Sequence, residues 1–274
     1  MPNTNTDGDG HTTWLELDSQ RESYDHLVEQ VELGQHTLIT GPRGGGKTRL
    51  AEAVARKLRR PIEVFHFGGI LDTEAMLYGS MTLTSGGTRF VRSRFAEAIQ
   101  QPGVMLVLDE LNRAPSGVHN ALLGLLDHSA RLVIDLEEPE RRIVKLAPGA
   151  VVVATANVGG EYVGTEVVDA ALLDRFAVLR LDYPREEEAL LVELAGVTPR
   201  QAGELARGAR AIREAHAKGG LAFTLSTRRL LEAGRLVARG RSVPQAIERN
   251  VCAFDEEAVT ALRATLRATR GKAA

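Results

Sequence analysis

The segment Gly41-Pro42-Arg43-Gly44-Gly45-Gly46-Lys47-Thr48 constrains this chain more than any other. It fits the spacing Gly-x-x-x-x-Gly-Lys-Ser/Thr, in which glycines let the backbone curl so that its N–H groups converge on phosphate oxygens. An apolar run, His36–Thr40, precedes it, and a helical pattern, Thr48–Leu58, follows. A strand, a glycine-rich loop and a helix N-terminus in that order make an anion cradle, because the helix end adds positive potential to the converging amides. Gly41 through Gly46 are therefore expected to wrap phosphates, Lys47 to reach the β- and γ-phosphates, and Thr48 to coordinate Mg²⁺.

The rest of the N-terminal part supports an α/β layer around that loop. Short apolar runs at His36–Thr40, Ile62–Phe67, Val104–Leu108, Val151–Ala154 and Val178–Leu181 read as strands. Continuous runs such as Val-Met-Leu-Val-Leu suit strands buried on both faces, as in a parallel sheet covered by helices. Helical patterns lie between them at Thr48–Leu58, Phe90–Gln100 and Ser116–His128. The fold expected is a P-loop α/β core with a parallel five-stranded sheet. Two alternating stretches, Arg131–Leu136 and Arg141–Leu146, flank an acidic turn and predict a β-hairpin inserted at about 131–148. The glycines Gly86-Gly87 suggest a second protruding loop.

After Tyr183-Pro184 the strand signal ends. Thr198-Pro199-Arg200-Gln201 is a capping box with proline at the first helical position. Ser226 precedes a helix over Thr227–Ala238, and Ser242 and Asp255 mark two further starts. The division predicted is a loose tail at 1–13, an α/β core at 14–184 and an all-helical lid at 185–274.

Composition narrows the function classes. Lys+Arg is 34 and Asp+Glu 36, for a formal net charge of −2. A chain that close to neutral has no global attraction to DNA or an anionic membrane, which disfavours nucleic acid as the partner. Cys252 is the only cysteine, so no internal disulfide can form and a reducing compartment is expected. No apolar run approaches the ~18 residues that span a bilayer, and Met1–Gly10 is polar and acidic, unlike a secretory signal. A cytoplasmic location without membrane insertion is the expectation.

The run Val104-Met105-Leu106-Val107-Leu108-Asp109-Glu110 ends in two carboxylates. Open parallel sheets bind ligands at the carboxyl ends of their strands, so Asp109 and the phosphate loop converge in such a fold. Asp109 is expected to hold Mg²⁺. Glu110 is expected to polarise an attacking water, which favours hydrolysis over binding alone.

Four segments in order carry a family resemblance: the phosphate loop, Asp109-Glu110-Leu111-Asn112-Arg113-Ala114-Pro115, Ala154-Thr155-Ala156-Asn157 and Ala171-Leu172-Leu173-Asp174-Arg175-Phe176. Together they resemble the AAA+ ATPases, specifically the MoxR-like branch with its CbbQ/NorQ, gas-vesicle N-type and cobaltochelatase small-subunit relatives. The resemblance spans about 35–270. It implies ATP and Mg²⁺ as ligands and a homo-oligomeric, hexameric ring. It implies a protein client, of which a von Willebrand A-type domain protein is one kind. It places Asn157 at the sensor 1 position. Arg175 becomes an arginine finger reaching the neighbouring subunit's nucleotide, and Arg228 the sensor 2 arginine, with Arg229 as the alternative register. Arg113 faces the subunit interface on this view, and His66 is either a structural strand histidine, the commoner case, or a restraint on Glu110 through a polar contact. Arg43 replaces the small or acidic residue of many relatives, and a Gly159–Gly164 loop containing Tyr162 is left without a role.

The leading function is a ring-forming ATPase that remodels a partner protein. A nucleotide-gated scaffold with little turnover is the alternative, and Glu110 with Arg175 separates the two. A small-molecule kinase is disfavoured by Asn157, Arg175 and the helical C-terminal region. A DNA motor is disfavoured by the charge, although Thr88-Arg89-Phe90-Val91-Arg92 is locally basic.

Overall fold

A computed structural model describes residues 17–68, 72–85, 87–157, 170–251 and 256–271. The expected tail at 1–13, Gly86, the Gly159–Gly164 loop with Tyr162, Cys252 and the Asp255 helix start lie outside the described residues. The chain opens with α1 (Asp18–Glu32), β1 (Thr37–Gly41), α2 (Lys47–Lys57), β2 (Ile62–His66) and α3 (Thr73–Leu77). It continues with β3 (Gly79–Thr84), β4 (Gly87–Arg92), α4 (Arg94–Ala98) and β5 (Met105–Asp109). A 3₁₀ turn, Leu111–Arg113, leads into α5 (Ser116–Leu126), β6 (Arg131–Val133), β7 (Ile143–Lys145), β8 (Val151–Asn157), α6 (Ala170–Leu173) and β9 (Ala177–Arg180). The C-terminal helices are α7 (Glu187–Ala195), α8 (Pro199–Ala217), α9 (Thr227–Ala238), α10 (Val243–Glu248) and α11 (Glu256–Gly271).

Five strands pair in the order β2-β5-β8-β1-β9, all parallel. The expected five-stranded sheet is present. Its central strands are apolar at successive positions because both faces are covered. Leu106, Leu108, Val152 and Ala154 point into one core with Phe95 and Leu122. Met105, Val107, Val151 and Val153 point into the other with Leu50 and Val54. Each fully buried Val or Leu contributes about 1.5–3 kcal/mol, so these two strands anchor the layer.

The sheet also decides where function sits. Register pairs Gly41 with Asn157, His66 with Asp109 and Leu108 with Ala154, which aligns the carboxyl ends of β1, β2, β5 and β8.

The helix expected over Phe90–Gln100 is corrected. Phe90–Arg92 belong to β4, antiparallel to β3, and the helix runs only Arg94–Ala98. Ser93 divides them: its side chain accepts from Ala96 N at 2.9 Å and starts the helix there. Gly87 thus opens the second strand of a hairpin whose first strand carries Leu83, 82% exposed. The predicted inserted hairpin is β6–β7, with three-residue strands. Arg92 ties the two hairpins together, bonding Glu137 Oε2 at 2.5 Å and the Arg141 carbonyl at 2.7 Å.

The helical region has its own core, including Leu191, Leu205, Ile212, Leu225, Leu230 and Ile247. The Thr198–Gln201 capping box forms, and Ser226 caps α9 through Arg229 N. Helices α1, α3 and α7 were not among the sequence expectations. No side chain of its own caps α1; Glu186, 167 residues away, accepts from Ser19 N at 2.9 Å and also from the Ser19 hydroxyl.

Candidate functional site

The phosphate loop leaves β1 at Gly41 and enters α2 at Lys47. Gly44 and Gly46 take φ of +67° and +97°, which a Cβ resists. Gly46 is also the N-cap of α2, and no side chain caps that end. The first-turn amides of α2 are therefore not taken by a capping side chain, as an anion site requires.

Lys47 is 6% exposed. Its ammonium donates to Gly41 O at 3.0 Å, Pro42 O at 2.9 Å and Asn157 Oδ1 at 2.7 Å. Burial pushes its pKa down to about 8; Asp109 and Glu110 oppose the shift and Arg228 adds to it. A half-desolvated cation of this kind gains strongly from a phosphate beside it.

Asp109 ends β5 against three donors. Thr48 Oγ1 donates to its Oδ1 at 2.6 Å, Thr155 Oγ1 to the same oxygen at 2.7 Å, and His66 Nδ1 lies 3.0 Å from Oδ2. Burial raises the carboxyl's pKa, but the hydrogen bonds from Thr48, Thr155 and His66 outweigh it and hold the group below its ordinary value. An ionised carboxylate touching a threonine hydroxyl is a donor set that suits a hard cation such as Mg²⁺, which takes one or two protein oxygens plus phosphates. Among the described residues no cluster of three or more His, Cys, Asp or Glu forms a cage by itself. Of the two readings of His66, the contact to Glu110 is not made: register puts His66 opposite Asp109, and its ring bonds there.

Glu110 has φ +58°, ψ +44°, a left-handed conformation that non-glycine residues rarely hold. Glu110 N donates to Thr155 Oγ1 at 3.0 Å, and Arg113 N bonds back to Glu110 O at 2.8 Å. These contacts hold the kink, which turns the side chain out of the sheet's plan and over Gly68. A Cβ at Gly68 would stand 2.7 Å from Glu110 Oε2. Asn157 Nδ2 reaches Glu110 Oε1 at 3.4 Å. Arg113 Nε stands 3.4 Å from Oε2 and makes no hydrogen bond, so Arg113 turns toward Glu110.

Asn157 is thus joined to both Lys47 and Glu110. Its backbone is fixed by Asn112, whose amide donates to Asn157 O at 3.2 Å and accepts from Asn157 N at 3.3 Å. Across the loop stands α9. Arg228 lines the same cleft of about 280 Å³ as Arg43, Lys47, Thr48, Asp109, Glu110 and Asn157. Arg229 instead pairs with Glu232 at 3.1 Å, so the first of the two registers faces the cleft. Arg175 is not among the cleft's lining residues. It donates to Ala171 O at 2.6 Å and lies 3.9 Å from Asp127 Oδ2.

The sequence reading passed over Arg49, Thr155, Thr227, Leu231 and Arg235, all of which line the cleft. Thr155 had a readable signal, a hydroxyl inside an otherwise apolar strand end. Thr227, Leu231 and Arg235 needed the packing of α9 on the loop, and Arg49 follows Thr48 directly on α2.

The family described as "AAA domain (dynein-related subfamily)" matches residues 36–176, and "CbbQ/NirQ/NorQ C-terminal" matches 187–269. BssE of Thauera aromatica, provisionally named a chaperone, is 34% identical over 92% of this chain and 84% of its own length. A RuvB mutant of Thermotoga maritima superposes with TM-score 0.56 at 18% identity, over 97% of this chain and 73% of RuvB's. NtrX of Brucella abortus gives TM-score 0.56 at 21% identity, over 92% and 59%. The two structural likenesses bear on fold alone. With the AAA domain covering half the chain and the CbbQ-type region following it, the chain belongs to the AAA+ ATPase family, in its MoxR-like, CbbQ/NorQ-related branch.

Proposed function

We propose that this chain assembles into a hexameric ring that binds ATP with Mg²⁺ and hydrolyses it to remodel a partner protein. The observation that carries the reading is the convergence of Lys47, Thr48, Asp109, Glu110 and Asn157 at the carboxyl ends of three strands, with Arg228 opposite. The division proposed is a nucleotide-binding core to about 184 and a helical lid after it.

The roles follow from local chemistry. The glycine loop and α2 amides hold phosphate oxygens, and Lys47 balances their charge. Thr48 and Asp109 hold Mg²⁺, which when bound neutralises phosphate charge. Glu110, free of the sheet and flanked by Arg113, accepts a proton from water as that water's oxygen bonds to the γ-phosphorus and the bond to ADP breaks. Asn157 orients the water or the γ-phosphate, and Arg228 brings the lid to the same group. Arg175, held near Asp127 and away from its own cleft, serves the next subunit's nucleotide. Motion of the lid reaches a client through the two hairpins that Arg92 joins. A von Willebrand A-type domain protein is the client class proposed, by analogy with the branch. The lone Cys252 supports a reducing, cytoplasmic setting.

The deciding experiment measures ATP binding and phosphate release by the purified chain with and without Mg²⁺. Wild-type turnover lost in Lys47→Ala is expected; Mg²⁺-independent turnover, or none in any assembled state, sinks the proposal.

A further inference from the structure

The linker and lid hold a cluster of polar contacts that the catalytic reading does not use. Its centre is Arg213, in the C-terminal part of α8. The guanidinium forms a two-pronged pair with Glu187, Nη1 to Oε2 at 2.8 Å and Nη2 to Oε1 at 2.7 Å. Its Nε donates to Leu225 O at 2.8 Å. Its carbon lies 3.7 Å from the centre of the Tyr183 ring. Glu187 Oε1 also accepts from Thr227 Oγ1 at 2.6 Å. The side chains of Arg213 and Glu187 are 16% and 4% exposed, so the pair is largely desolvated.

Two ends of this cluster touch the candidate site. Leu225 and Thr227 flank the cap residue Ser226, and Arg228 is the next residue after Thr227. At the other end, Tyr183 Oη donates to Arg43 O at 3.2 Å, within the phosphate loop. The loop meets α9 directly as well: a Cβ on Gly44 would stand 2.8 Å from Ser226 Cβ and 3.6 Å from Arg228 Cβ. One guanidinium therefore fixes the first turn of α9 by two routes and rests on the ring that grips the loop.

We infer that Arg213 is the positioning residue that sets Arg228 against the phosphate loop, so that the lid's preference for a triphosphate over a diphosphate depends on the Tyr183–Arg213–Glu187–Thr227 contacts. The inference rests on the proposal that the cleft binds ATP and that Arg228 meets the γ-phosphate. Arginine is required because only a planar fork satisfies Glu187 twice, donates sideways to Leu225 and still stacks on tyrosine. Lysine keeps the charge and loses that geometry.

The test compares ATP and ADP affinities by calorimetric titration in wild type, Arg213→Lys, Tyr183→Phe and Arg228→Ala. Arg213→Lys should lose about tenfold of the ATP-over-ADP preference, the size of a typical coupling between sites, with ADP affinity nearly unchanged. Tyr183→Phe keeps the stacking and removes the loop contact, so a smaller loss in the same direction is expected. Thr227→Ser should retain the preference and Thr227→Val should reduce it. Adding Arg213→Lys to Arg228→Ala should cost no more preference than Arg228→Ala alone, because both act through one contact. A merely structural arginine would lower thermal stability and leave the ATP-to-ADP ratio intact; that result, in Arg213→Lys and Tyr183→Phe alike, overturns the inference. If Arg213→Lys does not fold, Tyr183→Phe and the Thr227 pair decide it. Wild type that binds no ATP would overturn the reading of the cleft itself, a different failure from an unchanged ratio.

Discussion

Lys47 Nζ donates to Asn157 Oδ1 at 2.7 Å, joining the phosphate loop to the end of a strand 110 residues further along the chain. The contact occupies one ammonium proton and leaves the Asn157 amide group to reach Glu110. A phosphate beside Lys47 competes for that proton and releases the Asn157 oxygen.

Proton uptake on binding is the first expected consequence. The Lys47 pKa of about 8 means that the free protein carries this ammonium about half protonated at pH 8. Phosphate stabilises the charged form and raises the pKa, so binding at pH 8 should draw in about half a proton. At pH 6.5 Lys47 is already protonated and its share of the uptake vanishes. Affinity should weaken as pH rises above 8. Calorimetry in buffers of differing ionisation enthalpy reads the uptake, and Lys47→Ala should abolish both the uptake and tight ATP binding.

Glu110→Gln should bind ATP and turn it over at least about a hundredfold more slowly. The amide keeps the side chain's shape above Gly68 but accepts no proton, and general-base removal costs about 10²–10⁴ in rate. Single-turnover phosphate release measures it. Turnover within a few-fold of wild type would move the base elsewhere.

Asn112→Ala should slow hydrolysis more than it weakens ATP binding. It leaves the buried backbone N–H and C=O of Asn157 without their side-chain partner, at about 1–3 kcal/mol each. Stability should fall with turnover. Asn112→Asp still accepts from Asn157 N but sets an oxygen against Asn157 O, so it should also be slow. A titration of ATP affinity beside kcat separates positioning from binding.

Gly44→Ala should lift α9 from the phosphate loop. Its φ of +67° costs a non-glycine residue about 1–2 kcal/mol, and the new methyl meets Ser226. ATP affinity should drop more than ADP affinity, because the displaced lid residue is Arg228. Equal losses for the two nucleotides would point to loop strain alone.

Arg175→Ala should bind ATP and lose hydrolysis by about 10³-fold or more, the scale of an arginine finger. Mixed with Lys47→Ala subunits, it should regain partial activity, since some interfaces then pair an intact loop with an intact finger. Recovery is read as phosphate release across mixing ratios. Hydrolysis at the same per-chain rate at every concentration, by a monomer, would exclude a finger acting between subunits.

By itself the sequence determined what local pattern can encode. The phosphate loop was readable because its glycines and Lys47-Thr48 sit at fixed spacing between a strand and a helix. The central strands β1, β5 and β8 were readable because burial on both faces demands apolar runs, and the half-exposed edge strands β2 and β9 because enough of their residues are apolar. Thr198 and Ser226 announced their helices because capping acts within three residues. The Phe90–Gln100 helix was misplaced for a related reason: Phe90–Arg92 pair with Gly79–Met81, and that pairing outranks the local pattern up to Ser93.

Tertiary structure decided the contacts that join distant segments. Nothing near α1 announces that Glu186 caps it. His66 meets Asp109 and not Glu110 because parallel register aligns β2 with β5. Asn112 grips the Asn157 backbone only once the left-handed turn at Glu110 has swung it across, and Arg228 was separated from Arg229 only by the seating of α9 on Gly44. Hydrogen bonds fix direction over about 3 Å, so they are set by where the cores place each backbone. A sequence pattern names the groups; the packed sheet and lid choose their partners.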